Sequence, residues 1–238
     1  MIRTARPGGA PRASGVKHLS RSFLESDPVT VAPWLLGKLL RRGPLLARIV
    51  EVEAYRGAAD AASHAFRGRT LRNGTMFGPP GHLYVYFTYG MHFCANVVCW
   101  PEGDAGAVLL RALAPLSGLE EMAARRFGDK SQLSPELAAT FLQSASEGRP
   151  TRAVWRPQDL CSGPAKLCQA LAIDRTADGY DIVRGHEGVV LLDDGTPPPA
   201  APAVGMRIGL AADCATRGEP WRWWVPGDPN VSRARTTR

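Results

Sequence analysis

Gly81-His82-Leu83-Tyr84-Val85-Tyr86-Phe87-Thr88-Tyr89-Gly90-Met91-His92-Phe93-Cys94-Ala95-Asn96-Val97-Val98-Cys99-Trp100 is the stretch that decides the fold. It is rich in β-branched and aromatic residues, carries a turn signal at Gly90 and returns as a second apolar run. That pattern predicts a hairpin over 83–98. Upstream, Pro44–Tyr55 reads as strand, with Ile49, Glu51, Glu53 and Tyr55 on one face and Val50, Val52 and Ala54 on the other. Downstream, Ala107–Leu113 is another strand, Gly179–Asp193 reads as strand–turn–strand, and Val204–Leu210 and Trp221–Val225 are the last strands. Helices are expected over Val31–Leu40, capped by Asp27 or Thr30, with Leu35, Leu36, Leu39 and Leu40 on one face and Pro33 in the first turn. Others are expected at Leu119–Arg126, at Ser134–Gln143, and after the Ser162-Gly163-Pro164 turn as far as Leu171. Strands and helices do not alternate in a βαβ rhythm. The expected class is therefore α+β: a single domain with a mostly antiparallel curved sheet, flanking helices and a protruding β-hairpin.

A chain of 238 residues suits one domain, taken as 23–232, behind a basic tail over 1–22 in which Arg3, Arg6, Arg12, Lys17 and Arg21 precede the first acid, Glu25. Hydrophobic residues make up 45% and charged residues 21%, which excludes wholesale disorder, collagen-like sequence and a disulfide scaffold. No apolar run reaches the ~18 residues of a membrane span; the longest, Val85–Trp100, is interrupted by Thr88, Gly90, His92 and Asn96. The first residues have no apolar core of a signal peptide, so a cytoplasmic location is expected. Lys and Arg number 29 against 22 for Asp and Glu, a net charge of +7 that admits a polyanionic partner without singling one out. The five cysteines form no CxxC pair and none has zinc-finger spacing to a histidine, so free thiols and no metal site are expected.

Three features carry possible chemistry. Glu53 sits with Tyr55 on one face of a half-apolar strand, where propensity disfavours a carboxylate. By residue type alone it reads as a surface acid on an edge strand, paired with Arg48 or Arg69. Tyr84, Tyr86, Phe87 and Tyr89 form an aromatic run that reads first as core, with Tyr89 falling near a hairpin tip, where a ring can face outward and stack on bases. Arg56, Arg67, Arg69 and Arg72 crowd the loop around His64, suited to phosphate and equally to solvent.

Longer motifs reverse those readings. Glu53-Ala54-Tyr55, Ser63-His64, Arg72-Asn73, Met76-Phe77, the run Gly81–Met91, Asn96, Val108-Leu109-Leu110-Arg111-Ala112 and Leu160-Cys161-Ser162-Gly163-Pro164 together resemble the alkyladenine (3-methyladenine) DNA glycosylase family, over roughly Asp27 to Ser232. The resemblance implies excision of alkylated, and often deaminated, purines by hydrolysis of the N-glycosidic bond, with water and without metal or cofactor. It implies a cytoplasmic monomer that acts on double-stranded DNA bearing damaged purines, with no membrane partner. Glu53 matches the general base. Arg111 matches a partner that helps Glu53 hold water and contacts the DNA backbone, and Ile208 one whose backbone carbonyl binds that water. Tyr55, His64 and Tyr86 match the residues stacked around the extruded base. Asn96 and Leu109 match the pocket lining, Asn96 at a position that screens out undamaged guanine. Tyr89 matches the ring that fills the vacated place in the duplex, and Met91, Arg69 and Arg72 are grouped with it as DNA contacts.

No lysine lies between Lys38 and Lys130, which argues for a monofunctional enzyme without a Schiff-base step. Two departures stand out: Leu71 where many relatives have proline, and a long Phe127–Pro157 stretch read as a surface excursion. The rival readings are a non-catalytic binder of damaged bases, which has no need of Glu53, and a hydrolase of free nucleosides, which has no need of Tyr89.

Overall fold

Strands β3 (Leu45–Tyr55) and β6 (Ala107–Ser117) pair antiparallel along nearly their whole length and form the spine of the molecule. The computed structural model describes residues 15–128 and 155–232. The other strands there are β1 (Lys17–His18), β2 (Leu39–Arg42), β4 (Leu83–Thr88), β5 (His92–Val98), β7 (Val189–Asp193), β8 (Ala203–Gly205) and β9 (Arg222–Trp224). They form one sheet in the order β1-β7-β2-β3-β6-β5-β4, with β9 on β3 and β8 on β9. Every pairing between these strands is antiparallel. Along one edge β3 is shared, first by β2 at Leu45–Arg48 and then by β9 at Glu51–Glu53, so the sheet curls as it passes the site. Helices α2 (Leu119–Phe127), α3 (Pro157–Cys161) and α4 (Pro164–Ala170) pack together against β5 and β6, and α1 (Pro28–Leu35) packs on β3. The α+β class and the single curled antiparallel sheet are as the sequence predicts.

A local break in alternation matters most for function. Simple period-two reading puts Ile49 on the face of Glu51 and Glu53. Instead Ala47, Ile49, Val52 and Ala54 all join the main core, because β3 is irregular against β6 between Ile49 and Val52. A bulge adds a residue to one strand and re-aims the side chains beyond it. Here it lets Ile49 pack inward and still turns Glu51 and Glu53 away from the apolar core, to the side where Arg111 meets both.

Several expected boundaries are corrected. The first helix is Pro28–Leu35, capped by the Asp27 carboxylate, which accepts from the Val29 N–H at 2.8 Å. Pro28 holds the first-turn position and Pro33 lies inside the helix. Leu39 and Leu40 are strand residues: Gly37, at φ +86°, turns the chain, and its N–H already bonds the Ile49 carbonyl of the sheet. In the expected strand–turn–strand of 179–193 only Val189–Asp193 is strand; its first half is anchored by single contacts such as Leu83 N–H to the Tyr180 carbonyl. Val204–Leu210 contributes only Ala203–Gly205. The expected tail ends earlier than residue 22: Lys17–His18 pairs with β7, Leu19 is buried, and Arg21 bridges Asp181 at 2.6 Å. The expected helix Ser134–Gln143 and most of the 127–157 excursion lie outside the described residues. The five cysteines are unpaired.

Candidate active site

The sheet brings residues from 55 to 210 around one pocket of about 260 Å³. Tyr55, His64, Arg72, Tyr86, Tyr89, Asn96, Leu109, Arg111 and Ile208 all line it. Arg69 and Met91 do not, although Met91 is exposed on the turn that carries Tyr89.

Glu53 stands behind this pocket with no solvent exposure. Its registry opposite Leu109 puts it two residues along the ladder from Arg111. One carboxylate oxygen, Oε1, accepts from the Ile208 N–H at 2.7 Å and lies 3.1 Å from Arg111 Nη1. The other, Oε2, accepts from the Tyr55 hydroxyl at 3.0 Å. A carboxylate offers about four acceptor positions, so these three contacts leave one, on Oε2. Burial pushes the Glu53 pKa above the ordinary carboxylate value, and Arg111, the Ile208 amide and the Tyr55 hydroxyl pull against that rise. The reading of Glu53 as an edge-strand surface acid is overturned. Arg48 pairs with Asp194, and β3 is an interior strand.

Arg111 is buried and bridges two carboxylates, with Nε 3.0 Å from Glu51 Oε1 and Nη1 on Glu53. Its Nη2 donates to Ser232 Oγ at 3.3 Å. Burial disfavours its charge, yet Glu53 and Glu51 raise its pKa. These donors meet Glu51, Glu53 and Ser232 inside the protein, while the residue also lines the pocket. Glu51 carries no comparable signal in the sequence: it also accepts from Arg222 Nε at 2.7 Å and from the Ser232 N–H at 2.7 Å. So β3 holds two buried acids in different surroundings: Glu51 between the two arginines Arg111 and Arg222 with both polar groups of Ser232, and Glu53 beside the pocket with one arginine and two neutral donors.

The aromatic wall is built by β4 and the loop before it. Tyr84 and Tyr86, two apart on β4, have ring centroids 5.7 Å apart. His64 meets Tyr86 edge to face at 4.5 Å, and its Nδ1 lies 2.9 Å from the Tyr84 hydroxyl. The sequence places Tyr84 in the aromatic run without a role of its own; its hydroxyl meets His64 and helps to hold it. Burial pushes the Tyr84 pKa up to about 12 and, with Arg72, lowers that of His64, so at neutral pH the phenol is protonated and the imidazole neutral. Asn73, buried, fixes the loop by donating to the carbonyls of His64 at 2.8 Å and Gly68 at 3.0 Å. This anchoring answers the departure at Leu71, which simply points to solvent. Asn96 donates to the Tyr84 carbonyl at 3.1 Å, which sets the orientation of its amide in the pocket.

At the turn between β4 and β5, Tyr89 is 80% exposed and sits at φ +52°, next to Gly90 at φ +67°. The Met91 N–H closes the turn on the Thr88 carbonyl at 3.2 Å. Two successive positive φ values define the type I′ geometry that suits the twist of paired strands. Tyrosine is a poor residue for it, since the left-handed region costs a side-chain-bearing residue roughly 1–2 kcal/mol. An exposed ring kept at such a cost is not there for packing.

A model of the methylpurine-DNA glycosylase family matches residues 22–229. The chain belongs to that family of N-glycosyl hydrolases. It is 48% identical over 230 residues to a protein of Burkholderia lata named "Putative 3-methyladenine DNA glycosylase", covering 96% of this chain and 97% of the relative. Proteins of the same name from Streptomyces avermitilis and Cutibacterium acnes are 44% and 39% identical, over 92% and 90% of this chain and 94% and 98% of theirs. In this glycosylase the residues around the site to which sequence reading assigns no individual role are Glu51, Tyr84, Asp60 and Arg207. Asp60 and Arg207, both fully buried, form a two-pronged ion pair beside Tyr55. Among the described residues no helix is long and apolar enough to cross a membrane.

Proposed function

We propose that the protein is a monofunctional DNA glycosylase that extrudes an alkylated purine, and in second place a deaminated one, from duplex DNA and hydrolyses its N-glycosidic bond with water activated by Glu53. The observation that carries this reading is the buried Glu53 carboxylate, held on three sides by Arg111, Ile208 and Tyr55 with one acceptor position open. A protein that only bound damaged bases would gain nothing from an acid kept in such an environment.

The bond to be cut lies inside the duplex, so the nucleotide must leave the stack, at a cost of a few kcal/mol. Stacking offsets this at roughly 1–3 kcal/mol per base, and the rings of Tyr86, His64 and Tyr55 offer it in the pocket. A purine alkylated at N3 or N7 is cationic in the nucleotide, which favours electron-rich ring faces and makes it a ready leaving group. No general acid is then required. Water bound at the open position of Oε2 loses its proton to Glu53 as its oxygen attacks C1′, while the carboxylate stabilises the oxocarbenium-like transition state. Among the described residues no lysine lines the pocket, in keeping with direct hydrolysis in place of a covalent imine. A neutral deaminated purine leaves less readily and is expected to be cut more slowly.

Two variants probe this arrangement. In Tyr55→Phe the ring stays and the hydrogen bond to Oε2 goes. That bond lowers the Glu53 pKa, so its loss raises it. Because the ionised form is the base, the acidic limb of the single-turnover rate profile should move to higher pH; a limb that stays in place contradicts the assignment. In Tyr89→Gly the left-handed backbone is relieved, so thermal stability should hold. Affinity for a lesion in duplex should fall by roughly one to two orders of magnitude while single-strand affinity holds, because only the duplex has a stack to repair. Both affinities need one fixed salt concentration. Equal losses on both substrates would mean that Tyr89 holds the extruded base and does not fill the vacated place in the duplex.

The reading as a whole is tested by offering the protein duplexes with single defined lesions alongside the corresponding free nucleosides, and separating released bases by chromatography. Release from duplex with none from nucleoside supports it. Release from nucleosides alone would make the protein a nucleoside hydrolase, and tight lesion binding without release a sensor.

A further inference from the structure

Arg207 immediately precedes Ile208, whose N–H holds Glu53, and it is a buried cation beside the site. Its side chain and that of Asp60 are both inaccessible. The guanidinium bonds both Asp60 oxygens, at 2.5 and 2.9 Å, the Ala54 carbonyl at 3.0 Å, and the carbonyl and hydroxyl of Thr216, each at 3.1 Å. Thr216 in turn donates its hydroxyl to Asp60 at 2.6 Å. The guanidinium also lies 4.7 Å from the Tyr55 ring centroid and 4.9 Å from that of Trp221. A buried ion pair is weak as a source of stability, since apolar replacements of similar size often serve as well. Its geometric consequences are more specific. The segment from Met206 to Pro220 contains no strand or helix, so nothing periodic fixes the Ile208 amide. The Arg207 fork supplies the missing anchor, tying this segment to the 54–60 turn through Ala54 and Asp60.

We propose that Arg207, locked on Asp60 and Thr216, is a positioning residue for the reaction: it sets the Ile208 N–H and the Tyr55 ring, the two neutral donors that hold the Glu53 carboxylate. Arg207 touches neither the substrate's reacting atoms nor Glu53 itself; it acts through the two residues that do hold Glu53. The proposal rests on the reading of Glu53 as general base. The charged and titratable groups facing Glu53 are Arg111 from β6, Glu51 and Tyr55 on β3, Tyr86 from β4, Cys94 from β5 and Arg207 from the 206–208 segment. A change of Arg207 therefore acts by charge as well as by position, and the test must separate the two.

Arg207→Lys does so, because lysine keeps the charge and loses the planar fork. Single-turnover excision of a lesion duplex is measured across pH for the parent and this variant, with melting temperature and lesion affinity alongside. The expected result is a rate loss of up to about 10²-fold and an acidic limb shifted upward by about one pH unit, with lesion affinity within a few-fold of the parent. A lower melting temperature with rate and limb unchanged would overturn the proposal and leave Arg207 a purely structural residue. If Arg207→Lys does not fold, Thr216→Val removes one hydroxyl from the anchor and keeps the ion pair. It should move the limb in the same direction by less, and an unmoved limb with unchanged rate would equally overturn the proposal. Glu53→Gln is run in the same series: if it retains activity, the reading of Glu53 fails independently, whatever Arg207 does.

Discussion

Glu53→Gln should bind a lesion-bearing duplex as tightly as the parent and excise the base about 10²–10⁴-fold more slowly, the usual contribution of a general base. The amide keeps the length and shape of the side chain. Its oxygen can still accept from the Ile208 N–H. What disappears is the proton-accepting lone pair at the open position, along with the negative charge that stabilises an oxocarbenium-like state. The pocket rings, the Asn96 amide and the exposed Tyr89 are untouched, so recognition should survive. Equal loss of binding and excision would mean that Glu53 shapes the pocket and does not act in the chemical step.

Arg111→Leu should have the largest effect on stability. Arg111 is the only cation in direct contact with Glu53 among the described residues, while Glu51 retains Arg222 and Ser232. Removing one partner of a buried ion pair costs about 3–5 kcal/mol, because the remaining charge is left unpaired. For a protein of this size that corresponds to a fall in Tm of the order of 10 °C. The deficit should narrow on acidification. Glu53 already has a pKa raised above its unfolded value, and loss of Arg111 raises it further. The folded variant therefore binds a proton that the unfolded chain has released, and its stability is greatest below the unfolded pKa and falls as pH rises through the folded one. Thermal melts at pH 4.5 and pH 8 check this; a Tm difference from the parent that is the same at both would contradict the pairing. Arg111→Lys is a demanding control, since a point charge cannot span both carboxylates as the guanidinium does.

Legibility in the sequence follows the range of the interactions involved. The pairing of β4 with β5 and the faces of Tyr84 and Tyr86 are local and readable from alternation and the turn signal. Glu53 is visible as an anomaly, an acid in a half-apolar strand, but its residue type alone points to the surface. What buries it is the neighbour β9, supplied by Arg222–Trp224 more than 160 residues later in the chain, and no local pattern announces that pairing. The bulge at Ile49–Val52 is hidden for the same reason, since it is defined against β6. Leu39 and Leu40 mislead because four leucines at helical spacing fit a helix as well as a strand pair, and only Gly37 hints at the break. Asp60 and Arg207 look like ordinary loop charges. The resemblance singles out Ile208 and says nothing of Arg207 before it. The resemblance points to Arg111 and Ile208 but not to every contact they make: the Ile208 N–H meets Glu53, a bond additional to the carbonyl contact with water that the resemblance implies.

The central proposal is that water guided by Glu53 cuts the bond between an alkylated purine and its sugar, with no covalent intermediate and no strand cleavage. It is tested most directly by single-turnover reaction on a duplex carrying one alkylated purine at a known position, with each time point divided in two and strand breaks scored before and after alkali. The expected result is breaks at the lesion only after alkali, growing with a single exponential, and none in undamaged duplex. Breaks at the lesion before alkali, or a product trapped on the protein by borohydride, would contradict it.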